Sequence, residues 1–151
     1  MNYWLIKSDP DIYTIDQLKK DGQSLWKKSV RNYQARNFLR EMQPDDLAFF
    51  YYSQVTPPGI AGVMRIVESG IDDPNQFDPK SQYFDPKSTL ESPRWQTVRV
   101  EYVETFPELL TLQTIKQHFN TDELWVVRRG NRLSVMPVTE TVGELILQLG
   151  R

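Results

Sequence analysis

Apolar runs in this chain are short, and they do not alternate with helical segments in a regular βαβ rhythm, which constrains the fold more than any other feature of the sequence. Tyr3–Lys7 is an apolar strand pattern stopped by Ser8-Asp9-Pro10, where proline ends ladder pairing. Leu47–Tyr52 is apolar and aromatic enough for a buried strand that ends at Ser53, and Ile60–Val67 continues the pattern after the Thr56-Pro57-Pro58-Gly59 turn. From Trp95 to Val103 the alternation is clean, with Val98, Val100 and Tyr102 on one face and Arg99 and Glu101 on the other. Leu124–Val127 and Arg132–Val135 complete six strand candidates, read as a hairpin about Arg129-Gly130-Asn131.

Helical segments fall between and after these runs. Thr14 and Gln17 form a capping box, Tyr13 and Leu18 occupy staple positions around it, and Gly22 closes the helix. Ala35, Phe38, Leu39 and Met42 follow the i, i+3, i+4, i+7 rule, so a second amphipathic helix spans about 32–42, with Asn32, Arg36 and Arg40 on its other side. Leu112, Ile115 and Phe119 predict a short helix. Thr141 with Glu144 reads as another capping box, ahead of a stripe of Val142, Leu145, Ile146 and Leu149. The stretch Ser69–Ser92 has no periodicity; Tyr83 and Phe84 are expected to pack part of it onto the body. With no repeat and no linker, one α+β domain covering 1–151 is expected, built on a small curved sheet or barrel flanked by short helices.

Composition narrows the chemistry. Hydrophobic residues make up 39% and charged residues 25%, which is ordinary for a globular chain, and aromatics reach 12%. There is no cysteine, so disulfides, thiolate metal sites and cysteine nucleophiles are excluded. No apolar run approaches the roughly 20 residues of a membrane span. Strand pattern begins within Met1–Lys7, so no signal peptide is expected, and the location expected is cytoplasmic, or nuclear in a eukaryote. The single histidine, His118, sits beside Phe119 without a matching nucleophile signature, and no GxxxxGK[ST], GxGxxG, HExxH or GxSxG motif is present. No catalytic residue, cofactor or metal is therefore expected.

Net charge is −2, so distribution matters more than the sum. Lys27, Lys28, Arg31, Arg36 and Arg40 follow one another without an intervening acid, whereas Glu68, Asp72, Asp73, Asp78, Asp85 and Glu91 make the next segment acidic. The stretch 26–37 combines Trp26, amides and guanidinium groups, a set that suits a nucleobase: a ring stacks, amides read a polar edge and cations hold phosphates. Taken alone, the same residues also fit a core tryptophan, a helix N-cap and a solvated face.

Five ordered motifs resemble one family. Tyr3-Trp4-Leu5-Ile6-Lys7-Ser8-Asp9-Pro10 resembles the YWLxKSEP opening of EVE domains, with Asp9 in place of the usual glutamate. Trp26 with Ser29–Asn37 is similar to the family's W-x-G-V-R-N-Y-x-A-R-N segment, Ser29 standing for glycine. Phe50–Ser53 resembles FYHS with Tyr52 for histidine, Pro58–Gly62 matches PGIxG, and Leu133–Val138 resembles LSVxPV. The resemblance implies a PUA-like fold related to YTH domains: a small curved mixed β-barrel flanked by short helices. It also implies a non-enzymatic monomer that binds DNA or RNA carrying a modified base, cytosine for members of the family and methylated adenine for the YTH relatives. On this basis Trp26 is the stacking wall of a base pocket. Lys7 and Ser8 form a strand end beside the base, Asn32 and Ser53 read its polar edge, and Pro58-Gly59 makes the opposite lip. Lys27, Lys28, Arg31 and Arg36 take phosphates, and Ser29 and Tyr52 bear on which base is read. The alternatives are a small-molecule or protein-binding domain that uses the 69–92 loop, and an accessory domain of RNA modification or processing, for which Asp72, Asp73 and Asp85 would have to supply the acids.

Overall fold

A computed structural model describes residues 1–151. In chain order the elements are β1 (Tyr3–Ser8), α1 (Ile15–Asp21), β2 (Gln23–Leu25), α2 (Tyr33–Glu41), β3 (Leu47–Tyr52) and β4 (Gly59–Asp72). After a 3₁₀ turn at Pro74–Phe77 come β5 (Gln96–Thr111), α3 (Leu112–His118), a second 3₁₀ turn at Trp125–Val127, β6 (Val135–Val138) and α4 (Glu140–Gly150). The strands form one mixed six-stranded sheet in the order β2-β5-β4-β3-β1-β6, unclosed, with β2 and β6 at its edges. Only β1 and β3 run parallel, with Tyr3 opposite Leu47 and Ser8 opposite Tyr52; every other pairing is antiparallel. The register slips four times between β4 and β5, and each slip is an irregularity of the kind that bends a strand and curves a sheet.

Both faces of the sheet are covered, which explains why β1 and β3 are continuous apolar runs rather than alternating ones. Tyr3 and Leu5 of β1, with Phe49 and Tyr51 of β3, join Val142, Ile146 and Leu147 of α4 in one core. Trp4, Ile6, Ala48 and Phe50 face the opposite way, into a second core with Leu18 of α1 and Ala35 and Leu39 of α2. At the entry to β3, Asp46 is 2% exposed, and its carboxylate accepts from Asn2 N, Trp4 Nε1 and Gln43 N, so the buried charge has three donors. No helix is long and apolar enough to cross a membrane.

The helix starts at Thr14 and Asn32 are as expected: both caps accept from a backbone N–H three residues on, and Gln17 closes the capping box. Other expectations need correction. The Leu124–Val135 hairpin does not form. Leu124, Val126 and Val127 are buried in the first core from a 3₁₀ turn, and Val135–Val138 pairs instead with β1. Their apolar character reflects burial and not a ladder. The last helix is capped by Thr139, which accepts from Val142 N, rather than by Thr141. Its buried stripe is Val142, Gly143, Ile146, Leu147 and Gly150, while Leu145 stands in solvent. β2 was not foreseen, because three residues carry no period. β4 runs on to Asp72 and β5 starts only at Gln96, so the connection spans 73–95 rather than 69–92, and β5 continues past Val103 to Thr111. Within it Tyr83 is half-buried but Phe84 is exposed.

Candidate nucleic-acid interface

The parallel pair β1 and β3 ends at a common edge, and several of the residues singled out above meet there. Ser53 N donates to the Ser8 carbonyl at 2.9 Å, and Lys7 N donates to the Ser134 carbonyl, so the end of β1 is held from both sides. The Ser8 side chain is fully buried and donates to the Tyr13 carbonyl at 2.8 Å. Lys27 lies 6.0 Å from the centre of the Tyr13 ring. Burial, and next the charge of Lys28, hold the Lys7 ammonium below its ordinary pKa. The Trp26-Lys27-Lys28 segment therefore runs alongside the end of β1.

The largest cavity of the molecule, about 560 Å³, opens at this edge and brings together Lys7, Ser53 and Pro58. Its other wall comes from residues that sequence reasoning passes over: Lys116 of α3, and the Arg128–Asn131 segment, of which the sequence marks only Arg129-Gly130-Asn131, as a turn. The available signal was the run Arg128-Arg129-Gly130-Asn131-Arg132, as basic as the 27–40 stretch. Lys7 Nζ donates to the Asn131 carbonyl at 3.3 Å, bridging the two walls. A second concavity of about 290 Å³ lies on the other side of the same segment, where Gln34, Trp125 and Leu133 join it.

The remaining residues are placed differently. Trp26 does not line the Lys7 cavity. It is 5% exposed, sets its ring edge-on to Phe50 at 5.3 Å, and borders a separate cavity of about 250 Å³ with Lys27, Asn75 and Thr97. Gly59 is buried against β5, so close that a Cβ there would strike the Leu110 carbonyl. Asn32 is exposed, with its side-chain oxygen engaged as the cap of α2.

Of the cations, Lys27 is exposed and Lys28 half-buried, but the two arginines are occupied. Arg31 donates to Asp73 Oδ2 at 2.9 Å and twice to the Tyr83 carbonyl, with its guanidinium over the Tyr83 and Trp95 rings. Arg36 donates to the Arg94 carbonyl and lies 4.6 Å from the Tyr33 ring centre, and Tyr33 in turn stacks on Trp95. Arg36 fastens the 73–95 loop to α2, and Arg31 fastens it to the segment just before that helix. Two of the three departures from the family pattern are also used internally: the Ser29 hydroxyl accepts from Asn75 Nδ2, and the Tyr52 hydroxyl accepts from Ile15 N at the start of α1. His118 is exposed on α3, 3.0 Å from the Thr114 carbonyl.

A mixed, curved and unclosed α+β sheet with helices on both faces fits the PUA-like fold expected from the sequence. A YTH domain from Zygosaccharomyces rouxii shares this fold at a TM-score of 0.55 and 14% identity, over 99% of this chain and 86% of that one. The EVE domain model matches residues 2–149, and the chain belongs to the EVE domain family. Thymocyte nuclear protein 1 of Mus musculus is 35% identical over 98% of this chain and 73% of its own length. A crystal structure of a Pseudomonas putida protein superposes with a TM-score of 0.93 at 46% identity, covering 99% of both chains. The human THYN1 protein, solved in complex with 5-methylcytosine-containing DNA, superposes with a TM-score of 0.90 at 32% identity, over 100% of this chain and 98% of that one.

Proposed function

We propose that this chain is a non-enzymatic module that binds nucleic acid and accepts one methylated or hydroxymethylated base, flipped out of its strand, at the end of β1 and β3. The observation that carries this reading is the whole-chain likeness to a human relative solved with 5-methylcytosine-containing DNA. The cavity at the same edge supports it, because its lining carries no carboxylate and sets a wall of cations suited to phosphates, Lys116, Arg128 and Arg129, opposite the strand-end groups Lys7 and Ser53 that would face the base. Lys7 and Ser53 supply polar groups at the strand ends, and Trp26, its ring held by Phe50, serves as the aromatic wall where the base reaches the separate cavity that it borders beside Lys27. Lys27 and Lys28 lie beside them for flanking phosphates. Flipping costs a few kcal/mol, least for an unpaired base, so single-stranded or distorted sites are favoured. Two of the acids that an enzymatic reading would need are already engaged, Asp73 by Arg31 and Asp85 by Trp95 Nε1 at 2.8 Å.

The test is to compare Trp26→Phe and Ser53→Ala with the unaltered chain on oligonucleotides that differ only in cytosine, 5-methylcytosine or 5-hydroxymethylcytosine. Trp26→Ala is unsuitable: a core truncation of this size costs about 3–5 kcal/mol. Each conservative variant is expected to stay folded and to lose several-fold of the discrimination between modified and unmodified base. Full discrimination in both variants would remove Trp26 and Ser53 from the pocket.

A further inference from the structure

The cations free to meet a polyanion are not those of α2. Only Arg31, Arg65 and Arg151 form ion pairs with carboxylates, and Arg31 and Arg36 are spent on the 73–95 loop. Lys116, Arg128 and Arg129 are exposed and unpaired, and they converge on the Lys7 cavity. The Arg128–Asn131 segment stands as a ridge between this cavity and the 290 Å³ concavity, and neither side of the ridge carries an acid. Three further concavities each include one, namely Asp21, Glu108 and Asp73. In a chain of net charge −2, this is a local basic face rather than a consequence of overall charge.

The ridge is built to stay in place. Asn131 Nδ2 donates to the Trp125 carbonyl at 2.8 Å, and its Oδ1 accepts from Leu133 N. Arg128 Nε donates to the Thr121 carbonyl, and the guanidinium lies 4.9 Å from the Trp125 ring centre, leaving its terminal nitrogens for a ligand. Trp125 lines the second concavity, so an aromatic face adjoins the cations there. Alternating cationic pockets beside an aromatic surface match a chain of spaced phosphates with attached bases better than they match one small anion.

The geometry points to the Arg128–Asn131 ridge, with Lys116 across the cavity, as the track for the phosphodiester backbone of the bound strand. This rests on the proposed reading of the chain as a nucleic-acid module. Because phosphate contacts set position and affinity but carry no base information, the track and the base pocket are separable by experiment.

The test measures affinity of the full chain and of the Lys116→Gln/Arg129→Gln double variant for single-stranded oligonucleotides with and without one 5-methylcytosine. Binding is followed by anisotropy from about 50 to 200 mM salt. Neither side chain has an internal partner, so the fold is retained, which circular dichroism checks. Losing two contacts lowers the salt slope by about 1.4, equivalent to roughly sevenfold less salt sensitivity over this range, equally on both oligonucleotides. The ratio of modified to unmodified affinity stays unchanged, and Lys87→Gln, on the 73–95 loop and in the lining of neither concavity, changes nothing. An unchanged slope in the double variant, with the unaltered chain still preferring the modified oligonucleotide, would overturn the track and leave the reader function standing. The free nucleotide 5-methyl-dCMP binding as tightly as the oligonucleotide would also overturn it. Failure of the unaltered chain to bind any oligonucleotide would overturn both.

Discussion

Replacing Gln76 by alanine should release the loop between β4 and β5. Gln76 is fully buried and uses every hydrogen-bonding position of its amide. Its Nε2 donates to the carbonyls of Asp73 and Trp95 at 2.8 and 2.7 Å, and its Oε1 accepts from the N–H groups of Arg94 and Trp95 at 3.1 and 3.0 Å. The two carbonyls keep another partner, since Asp73 O also accepts from Gln76 N and Trp95 O from Asp73 N. The two N–H groups lose theirs. An unsatisfied buried donor costs about 1–3 kcal/mol, and Arg94 lies closer to solvent than Trp95, so a loss of about 2–4 kcal/mol is expected. Urea denaturation reads the global part of this loss. Trypsin cleavage after Lys80 and Lys87 reads local opening of the loop, which should accelerate first. Gln76→Glu keeps the acceptor but points a carboxylate at two carbonyls. Its folded pKa is thereby raised, so its stability is greatest below the ordinary glutamate pKa of about 4.3 and falls as pH rises through the folded value. An alanine variant within 0.5 kcal/mol of the unaltered chain, with cleavage at Lys80 and Lys87 unchanged, would refute the assignment of Gln76 as the pin of the loop.

Two further outcomes follow from the packing. Gly62→Ala pushes a methyl into the Glu104 carbonyl and the Ile15 side chain and should cost about 1–3 kcal/mol, whereas Gly22→Ala meets open space and bears only the strain of φ +77°, about 1–2 kcal/mol; chemical denaturation of both variants compares them. Tyr13 and Tyr51 are both pushed up to about 12, Tyr13 by burial and then by its hydrogen bond to Asp21, Tyr51 by burial. Their neutral forms are favoured in the folded chain, so their contribution to stability is intact below pH 10 and is lost as pH rises toward 12. Phenolate absorbance should show these two groups ionising after the exposed tyrosines, and ionisation of all seven near pH 10 in the folded chain would contradict this.

Where the sequence was read correctly, a local signal and the tertiary demand agreed. Thr14, Gln17 and Asn32 satisfy backbone donors within their own turn, and such caps depend on nothing distant. Val98 and Val100 alternate because one face of β5 is buried, and that periodicity survives in any sheet. The misses have the opposite character. Leu124–Val127 is apolar because it fills a core, and nothing local distinguishes that from a strand. Gln76 looks like any polar loop residue until Arg94 and Trp95 are brought to it from the far end of the loop. Likewise Arg31 and Arg36 belong to a basic run in sequence, yet Asp73, Tyr83 and Arg94 claim them in space. The Arg128–Asn131 ridge was visible as charge but was read as a turn, because its meaning comes from Lys7 and Lys116 on other elements.

The most direct test of the central claim is the affinity of the unaltered chain for one oligonucleotide with a single cytosine, 5-methylcytosine, 5-hydroxymethylcytosine or, at a matched position, N6-methyladenine. It is measured single- and double-stranded at one fixed salt concentration. A preference of about tenfold or more for one modified base, roughly 1.4 kcal/mol, and stronger binding of the single strand are the results expected of a reader that holds a flipped base. Equal affinity for every base in both strand forms would contradict it.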